Sequence, residues 1–179
     1  MRRPAKPAPP PTDPRDAARA AYTLALRWLS MRETSAARIR SKLADRGFEP
    51  GTIEPVVERL TASKFIDDER AVRACARTLI AVRLRGRQRA RRELEAMGFA
   101  PALVRRALDE TVSEDDERAL AARVLKSRLR GARVISDPAA YRRIYGALLR
   151  RGFSQTIVRD VLKPVWKRGA APAESEDGD

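Results

Sequence analysis

The fold is indicated by residues 86–99, which read GRQRARRELEAMGF and combine dense positive charge with a sharp helix ending. The same ending, a leucine followed four positions later by Gly-Phe, begins at Leu43, Leu94 and Leu148. The glycines of the three copies, at positions 47, 98 and 152, are therefore about 50 residues apart. A period of this length predicts a structural unit that is used three times.

Each of these endings has the form of a Schellman turn. Glycine just after a helix adopts the left-handed conformation at little cost, and the chain then folds back onto the last helical turn. The residue after the glycine packs against the residue five positions before it. The predicted pairs are Phe48 with Leu43, Phe99 with Leu94, and Phe153 with Leu148.

Helical spacing of apolar residues continues through most of the chain, and no stretch alternates as a strand would. The fold class is therefore predicted to be all-α, with three tandem three-helix repeats forming an elongated, curved array. The repeats are placed at residues 13–66, 67–112 and 113–168. A disordered, basic, Pro-rich arm is expected at residues 1–12, and a disordered acidic tail at 169–179.

The charge balance indicates an acidic partner. The chain has 38 Lys and Arg against 24 Asp and Glu, a net charge of +14. Between Arg83 and Arg92 there are six arginines and no carboxylate, so the i,i+4 ion pairs of a solvated helix face are missing there. This pattern favours a surface that meets polyanion, with a solvated face as the alternative.

The candidate binding residues are all arginines. The position nine residues before the repeated glycine is arginine in each repeat, and it is expected to face outward. The full set of candidates is Arg85, Arg87, Arg89, Arg92, Arg38 and Arg143.

Catalysis is not indicated by the residue types present. The chain has no histidine and one cysteine, which removes the commonest acid/base group and leaves too few ligands for an ordinary zinc site. No phosphate-binding glycine loop is present. We therefore expect a protein that is not an enzyme, with no catalytic residue, metal or cofactor. The acids Asp67, Asp68 and Glu69 are interpreted as helix capping and dipole compensation.

Other features of the sequence predict where the protein is located in the cell and which residues form its core. No apolar run approaches the ~18 residues that span a bilayer, and no signal peptide is evident, so a cytoplasmic protein without a membrane partner is expected. Cys75 lies in an apolar stripe that includes Val82 and is expected in the core. Tyr22 and Trp28 are either core residues or stacking platforms for bases.

The chain resembles the RecX family of regulators of the RecA recombinase. The resemblance rests on Arg32-Glu-Thr-Ser35, on Phe65-Ile-Asp-Asp-Glu69, on the basic run from Arg85 to Phe99, and on Leu148-Leu-Arg-Arg-Gly-Phe-Ser154. The resemblance covers about residues 17 to 166.

The resemblance implies a cytoplasmic protein that binds RecA filaments on single-stranded DNA, and we expect it to be a monomer. It implies inhibition of ATP hydrolysis, strand exchange and filament growth, and hence a role in recombination, DNA repair and the SOS response. Double-stranded DNA is a second candidate partner. The alternative is a sequence-independent DNA-binding protein of helix-turn-helix type, and a second rival is a scaffold without a nucleic-acid role.

Overall fold

The computed structural model describes residues 9–129 and 131–167. The predictions for residues 1–8, Arg130 and the tail from residue 168 lie outside these ranges. In the described residues the chain forms α1 Pro14–Met31, α2 Ala36–Ala44, α3 Pro50–Ala62, α4 Asp68–Arg77, α5 Arg87–Ala96, α6 Pro101–Thr111, α7 Glu114–Leu129, α8 Pro138–Arg150 and α9 Gln155–Leu162. The all-α class and the tandem succession of three-helix repeats are confirmed.

Several helices begin just after a residue whose side chain caps them. Asp13 accepts the N–H groups of Arg15 and Asp16 at the start of α1, and Pro14 occupies the first helical position. Ser154 accepts the Ile157 N–H at the start of α9 in the same way. Such caps satisfy backbone donors that the helix leaves without partners.

The three Schellman turns are present as predicted. Gly47, Gly98 and Gly152 have φ values of 87°, 86° and 91°. In the first turn the Phe48 N–H donates to the Leu43 carbonyl at 3.2 Å, and the Gly47 N–H donates to the Ala44 carbonyl at 2.8 Å. All three phenylalanines are buried. Local sequence alone therefore determines how these helices end.

The chain divides into two compact units. Of the described residues, 9–77 and 93–108 form unit 1, whose core is built around Ile39, Leu43 and Leu60. Residues 78–92, 109–129 and 131–167 belong to unit 2, with a core around Leu148, Phe153 and Leu162. The residues predicted to form the second repeat are thus shared between the two units.

In unit 1 the second Schellman turn packs onto the start of α2. The buried Ser35 hydroxyl donates to the Met97 carbonyl at 2.7 Å and accepts the Arg38 N–H. A Cβ at Gly98 would lie 2.8 Å from that hydroxyl, which is too close for a side chain. The Asp68 carboxylate accepts the Ala36 N–H at 2.9 Å and so caps α2 from the next repeat.

The same joint recurs in unit 2, one repeat later. The Gly86 N–H donates to the Arg151 carbonyl at 2.8 Å, and the Gln88 N–H donates to the Gly152 carbonyl at 3.1 Å. The Glu117 carboxylate accepts the Arg87 N–H at 2.8 Å. In each unit, therefore, a Schellman turn and an acid from the following repeat hold the start of the preceding repeat's second helix.

The acids that open α4 do more than the sequence indicated. Asp67 caps its own helix by accepting the Arg70 N–H, as predicted. Asp68 instead reaches the start of α2, and Glu69 forms an ion pair with Arg106 at 2.7 Å. The interpretation as local capping is correct for one acid and incomplete for the other two, because their partners are distant in sequence.

The position of Val82 corrects the predicted apolar stripe. Residues Thr78–Val82 form a π-helical turn, in which the Arg83 N–H donates to the Thr78 carbonyl at 3.0 Å. The wider turn changes the angular spacing of its side chains from that of an α-helix, and Val82 is 74% exposed. Leu84 then ends the turn in the left-handed conformation, with φ 53°.

Glu117 provides a direct test of the unit 2 joint. It is only 5% exposed, and Glu117→Ala removes the acceptor for the Arg87 N–H. We expect this change to lower the free energy of unfolding by about 1–3 kcal/mol, measured by chemical denaturation. Glu117→Gln retains a side-chain oxygen acceptor and serves as the matched control. Equal losses for both variants would contradict the capping role.

The same residue predicts a pH dependence. Burial, opposed by the hydrogen bond and charge of Arg87, raises the pKa of the Glu117 carboxyl above its ordinary 4.5. The protonated form therefore favours the folded state, and this stabilisation is present below the unfolded-chain pKa and is lost as the pH rises through the folded-state pKa. The Tm of Glu117→Gln relative to the parent chain is expected to increase from pH 4 to 7; a constant difference would contradict this.

Candidate polyanion interface

One cationic surface of unit 1 follows α2 and its closing turn. We call Arg38, Lys42 and Arg46 the cation row: Arg38 and Lys42 lie one turn apart on α2, and Arg46 follows in the closing turn, near the same Trp28 ring as Lys42. None of the three has an ion pair with any of the described residues, whereas Arg40 on another face pairs with Glu54 at 2.9 Å.

The charges in and near the cation row repel one another. Burial lowers the pKa of Lys42, and the guanidinium groups of Arg32, Arg38 and Arg46 lower it further. Arg38 and Arg46 are exposed, so their side chains are in contact with solvent. A row of cations with no carboxylate neutralising it attracts polyanions.

A second cationic surface lies in unit 2, where α8 ends. Burial, followed by the charges of Arg128, Arg85 and Arg89, lowers the pKa of Arg151. We call these four residues the arginine cluster. The Arg151 Nη1 atom is held 3.3 Å from each of the carbonyls of Arg83 and Leu84. These contacts orient a guanidinium among others of the same charge.

The structure divides the six candidate arginines into two groups. Arg38, Arg92 and Arg143 are exposed. Arg92 makes one contact with its own helix, from Nε to the Gln88 carbonyl at 3.3 Å. These three side chains are therefore accessible to solvent, as expected for binding residues.

The other three candidates, Arg85, Arg87 and Arg89, are half-buried. The Arg87 guanidinium forms an ion pair with Asp109 and donates to the Val112 carbonyl at 3.1 Å. No carboxylate lies near Arg87 in the sequence, but the fold brings one, that of Asp109 on α6, into contact with it. Arg87 is therefore part of the joint of unit 2 as well as one of the basic residues of α5.

Arg89 departs from the expectation that it faces outward. Its Nη1 atom donates to the Arg150 carbonyl at 2.9 Å, and its backbone lies against Gly152. The next Schellman turn packs on this part of α5 and brings the last carbonyl of α8 within reach of the Arg89 guanidinium. Arg38 and Arg143, at the equivalent positions of the other repeats, are exposed.

Sequence reasoning missed several of the cations that the structure brings together. Lys42 and Arg46 were not candidates, although their spacing from Arg38 indicates a shared face. Arg128 and Arg151 belong to different helical segments, so only the fold brings them near Arg85 and Arg89. The first pair could have been found from helical periodicity, and the second could not.

No group of three or more His, Cys, Asp or Glu side chains in residues 9–129 and 131–167 is arranged to hold a metal ion. Across the same ranges, no helix has both the length and the apolar character needed to cross a bilayer.

Comparison with known proteins matches two separate parts of the chain to one family. Residues 21–60 match the first three-helix domain of RecX, and residues 114–162 match its third three-helix domain. The chain is 37% identical to the Regulatory protein RecX of Treponema pallidum (strain Nichols), over 79% of this chain and 83% of that protein. It is 30% identical to that of Trichlorobacter lovleyi, over 79% and 93%.

The fold has a counterpart among solved structures. The crystal structure of RecX from Lactobacillus salivarius superposes with a TM-score of 0.73, over 84% of this chain and 97% of that one, at 18% identity. This likeness supports the arrangement of helices, while the sequence relatives support the family. On the domain matches and on these identities over most of both chains, the chain belongs to the RecX family of regulatory proteins.

Proposed function

We propose that this chain binds RecA filaments on single-stranded DNA and inhibits their activities: ATP hydrolysis, strand exchange and filament growth. The observation that carries the proposal is the cation row, whose three side chains have no ion pair among the described residues. A filament of this kind presents phosphates and protein carboxylates together, and arginine binds both with paired N–H donors.

The mechanism that we propose is bridging. The cation row of unit 1, in which Arg38 and Arg46 are exposed, contacts one part of the filament. Arg92 and Arg143, both in unit 2, contact another. A chain that bridges filament subunits in this way competes with DNA or adjoining protein surface, and so blocks growth or favours disassembly. The cellular consequence is regulation of recombination and DNA repair in the cytoplasm, with the chain acting as a monomer.

The salt dependence of binding distinguishes this function from the alternative, which is sequence-independent DNA binding. Binding to phosphates alone weakens steeply as counterions are added, whereas a filament also offers contacts with protein. We expect the chain to sediment with preassembled RecA filaments at a salt concentration that abolishes its binding to bare single-stranded DNA. Loss of both interactions at the same salt concentration would contradict the proposal and favour a general DNA-binding protein.

A further inference from the structure

The cation row of unit 1 lies beside an aromatic ring, that of Trp28, to which the proposed function assigns no role. Trp28 is on α1, and the Lys42 Nζ atom lies 3.9 Å from the centroid of its ring. The Arg46 guanidinium carbon is 5.8 Å from the same centroid. The indole is partly exposed, so it is not a fully enclosed core side chain.

The charge around Trp28 is of one sign. Arg32 and Arg38 are near enough to lower the pKa of Lys42, after the larger effect of its burial. Two cations, Lys42 and Arg46, thus lie over the Trp28 ring, and Arg32 and Arg38 lie close enough to Lys42 to act on its charge. None of the four has an ion pair among the described residues. A cation held over an indole is stabilised, but crowding of like charges opposes this arrangement.

We propose that Trp28 and these four cations form a binding site for single-stranded nucleic acid. Arg32, Arg38 and Arg46 bind successive phosphates. Lys42 moves from the indole to a phosphate, and a base stacks on the ring that it leaves. This inference rests on the proposed function, since it names the nucleic-acid contact of the first repeat.

An aromatic ring among cations is the reason to favour nucleic acid over an acidic protein surface. Proteins that bind single strands without sequence preference combine a positive groove with aromatic side chains on which bases stack. A carboxylate-bearing surface would use the cations but would gain little from the indole. Tyr22 is the internal comparison: the Arg59 guanidinium carbon lies 4.6 Å from its ring centroid, but no row of unpaired cations surrounds it among the residues described.

The test uses tryptophan emission in the full chain without RecA. The chain has two tryptophans, so Trp166→Phe leaves Trp28 as the sole reporter. Phenylalanine keeps an aromatic ring beside Tyr141, whose ring centroid is 4.6 Å from that of Trp166. We expect short oligo(dT) to change the Trp28 emission. An abasic oligonucleotide of equal length should bind more weakly and lack the stacking signal.

Affinity provides the second measurement. Stacking of one base is worth about 1–3 kcal/mol, so Trp28→Leu is expected to weaken oligo(dT) binding roughly 5- to 150-fold. Its affinity for the abasic strand should stay the same. Leucine keeps an apolar side chain against α2, and circular dichroism checks that the variant folds. Tyr22→Leu is the matched control and should leave both affinities unchanged.

Three results would overturn the inference. The first is Trp28 emission that does not respond to saturating oligo(dT), and the second is equal affinity of the Trp28→Leu and parent chains for it. The third is an equal emission change with polyglutamate, which would assign the surface to an acidic protein partner. None of these bears on RecA inhibition, so the site can fail while the proposed function stands. The reverse also holds, because no RecA is present.

Discussion

Gly152→Ala is expected to be among the most destabilising single substitutions in this chain. Gly152 has φ 91°, a conformation that costs an L residue about 1–2 kcal/mol. A Cβ there would also collide with the backbone and Cβ of Arg89, and overpacking of this kind costs about 1–3 kcal/mol. The free energy of unfolding should therefore fall by about 2–5 kcal/mol, measured by chemical denaturation.

Two other glycines separate the contributions to that loss. Gly131 has φ 93°, but a Cβ there meets nothing within 4 Å, so Gly131→Ala reports the backbone cost alone. Gly86 faces the backbone of Gly152 and Phe153, so Gly86→Ala tests the close packing of the joint. We expect losses for Gly152→Ala and Gly86→Ala that both exceed the loss for Gly131→Ala. Equal effects at Gly152 and Gly131 would contradict the packed joint.

The second large effect is expected from charge reversal of the exposed candidate arginines. Replacing Arg38, Arg92 and Arg143 with glutamate puts carboxylates where the proposal places contacts with an acidic filament. Like charges at an interface oppose association strongly, so inhibition of RecA should require at least about tenfold more protein. The measurement is DNA-dependent ATP hydrolysis by RecA. The folding of the variant should be unaffected, because these side chains are exposed.

A control variant reverses the charge of three other exposed arginines. Arg105, Arg123 and Arg159 are also exposed, and reversing them lowers the net charge equally. If general charge attracts the chain to the filament, both variants lose inhibition to the same extent. If specific contacts do so, the control retains most of its inhibition. Full inhibition by the Arg38, Arg92 and Arg143 variant would contradict the assignment of the interface.

The parts of the fold that sequence predicts are those set by neighbouring residues. The Schellman turn from Leu43 to Phe48 needs only a glycine and two apolar side chains, and all of them lie within six positions. The caps at Asp13 and Ser154 are local in the same sense. Such features are visible without knowledge of what packs against them.

The joints could not be predicted because their partners come from other repeats. Ser35 bonds to Met97, and Glu117 bonds to Arg87; nothing near either residue indicates the partner. One signal was present, since Asp68 and Glu117 both lie in an acidic first turn, of α4 and α7 respectively. The burial of Arg89 follows from the same joint. Val82 was misplaced because a π-helical turn does not follow the regular spacing of 3.6 residues.

The candidate site was predicted in kind but only partly in its residues. Net charge and the arginine-rich stretch indicated a polyanion partner, and three of the six candidates lie exposed. The cation row depends on which face of α2 the core of unit 1 leaves open, and Trp28 completes it from α1. Composition indicates the chemistry of a partner, whereas the packing of helices determines which side chains meet it.

The most direct test of the account is ATP hydrolysis by RecA on single-stranded DNA, with this chain added at far below one copy per RecA. At such ratios the chain cannot mask the DNA, so inhibition requires action on the filament itself. If the chain acts on the filament directly, the hydrolysis rate falls clearly at these ratios. Inhibition that begins only when the chain is abundant enough to coat the DNA would contradict direct action on the filament and identify a general polyanion binder.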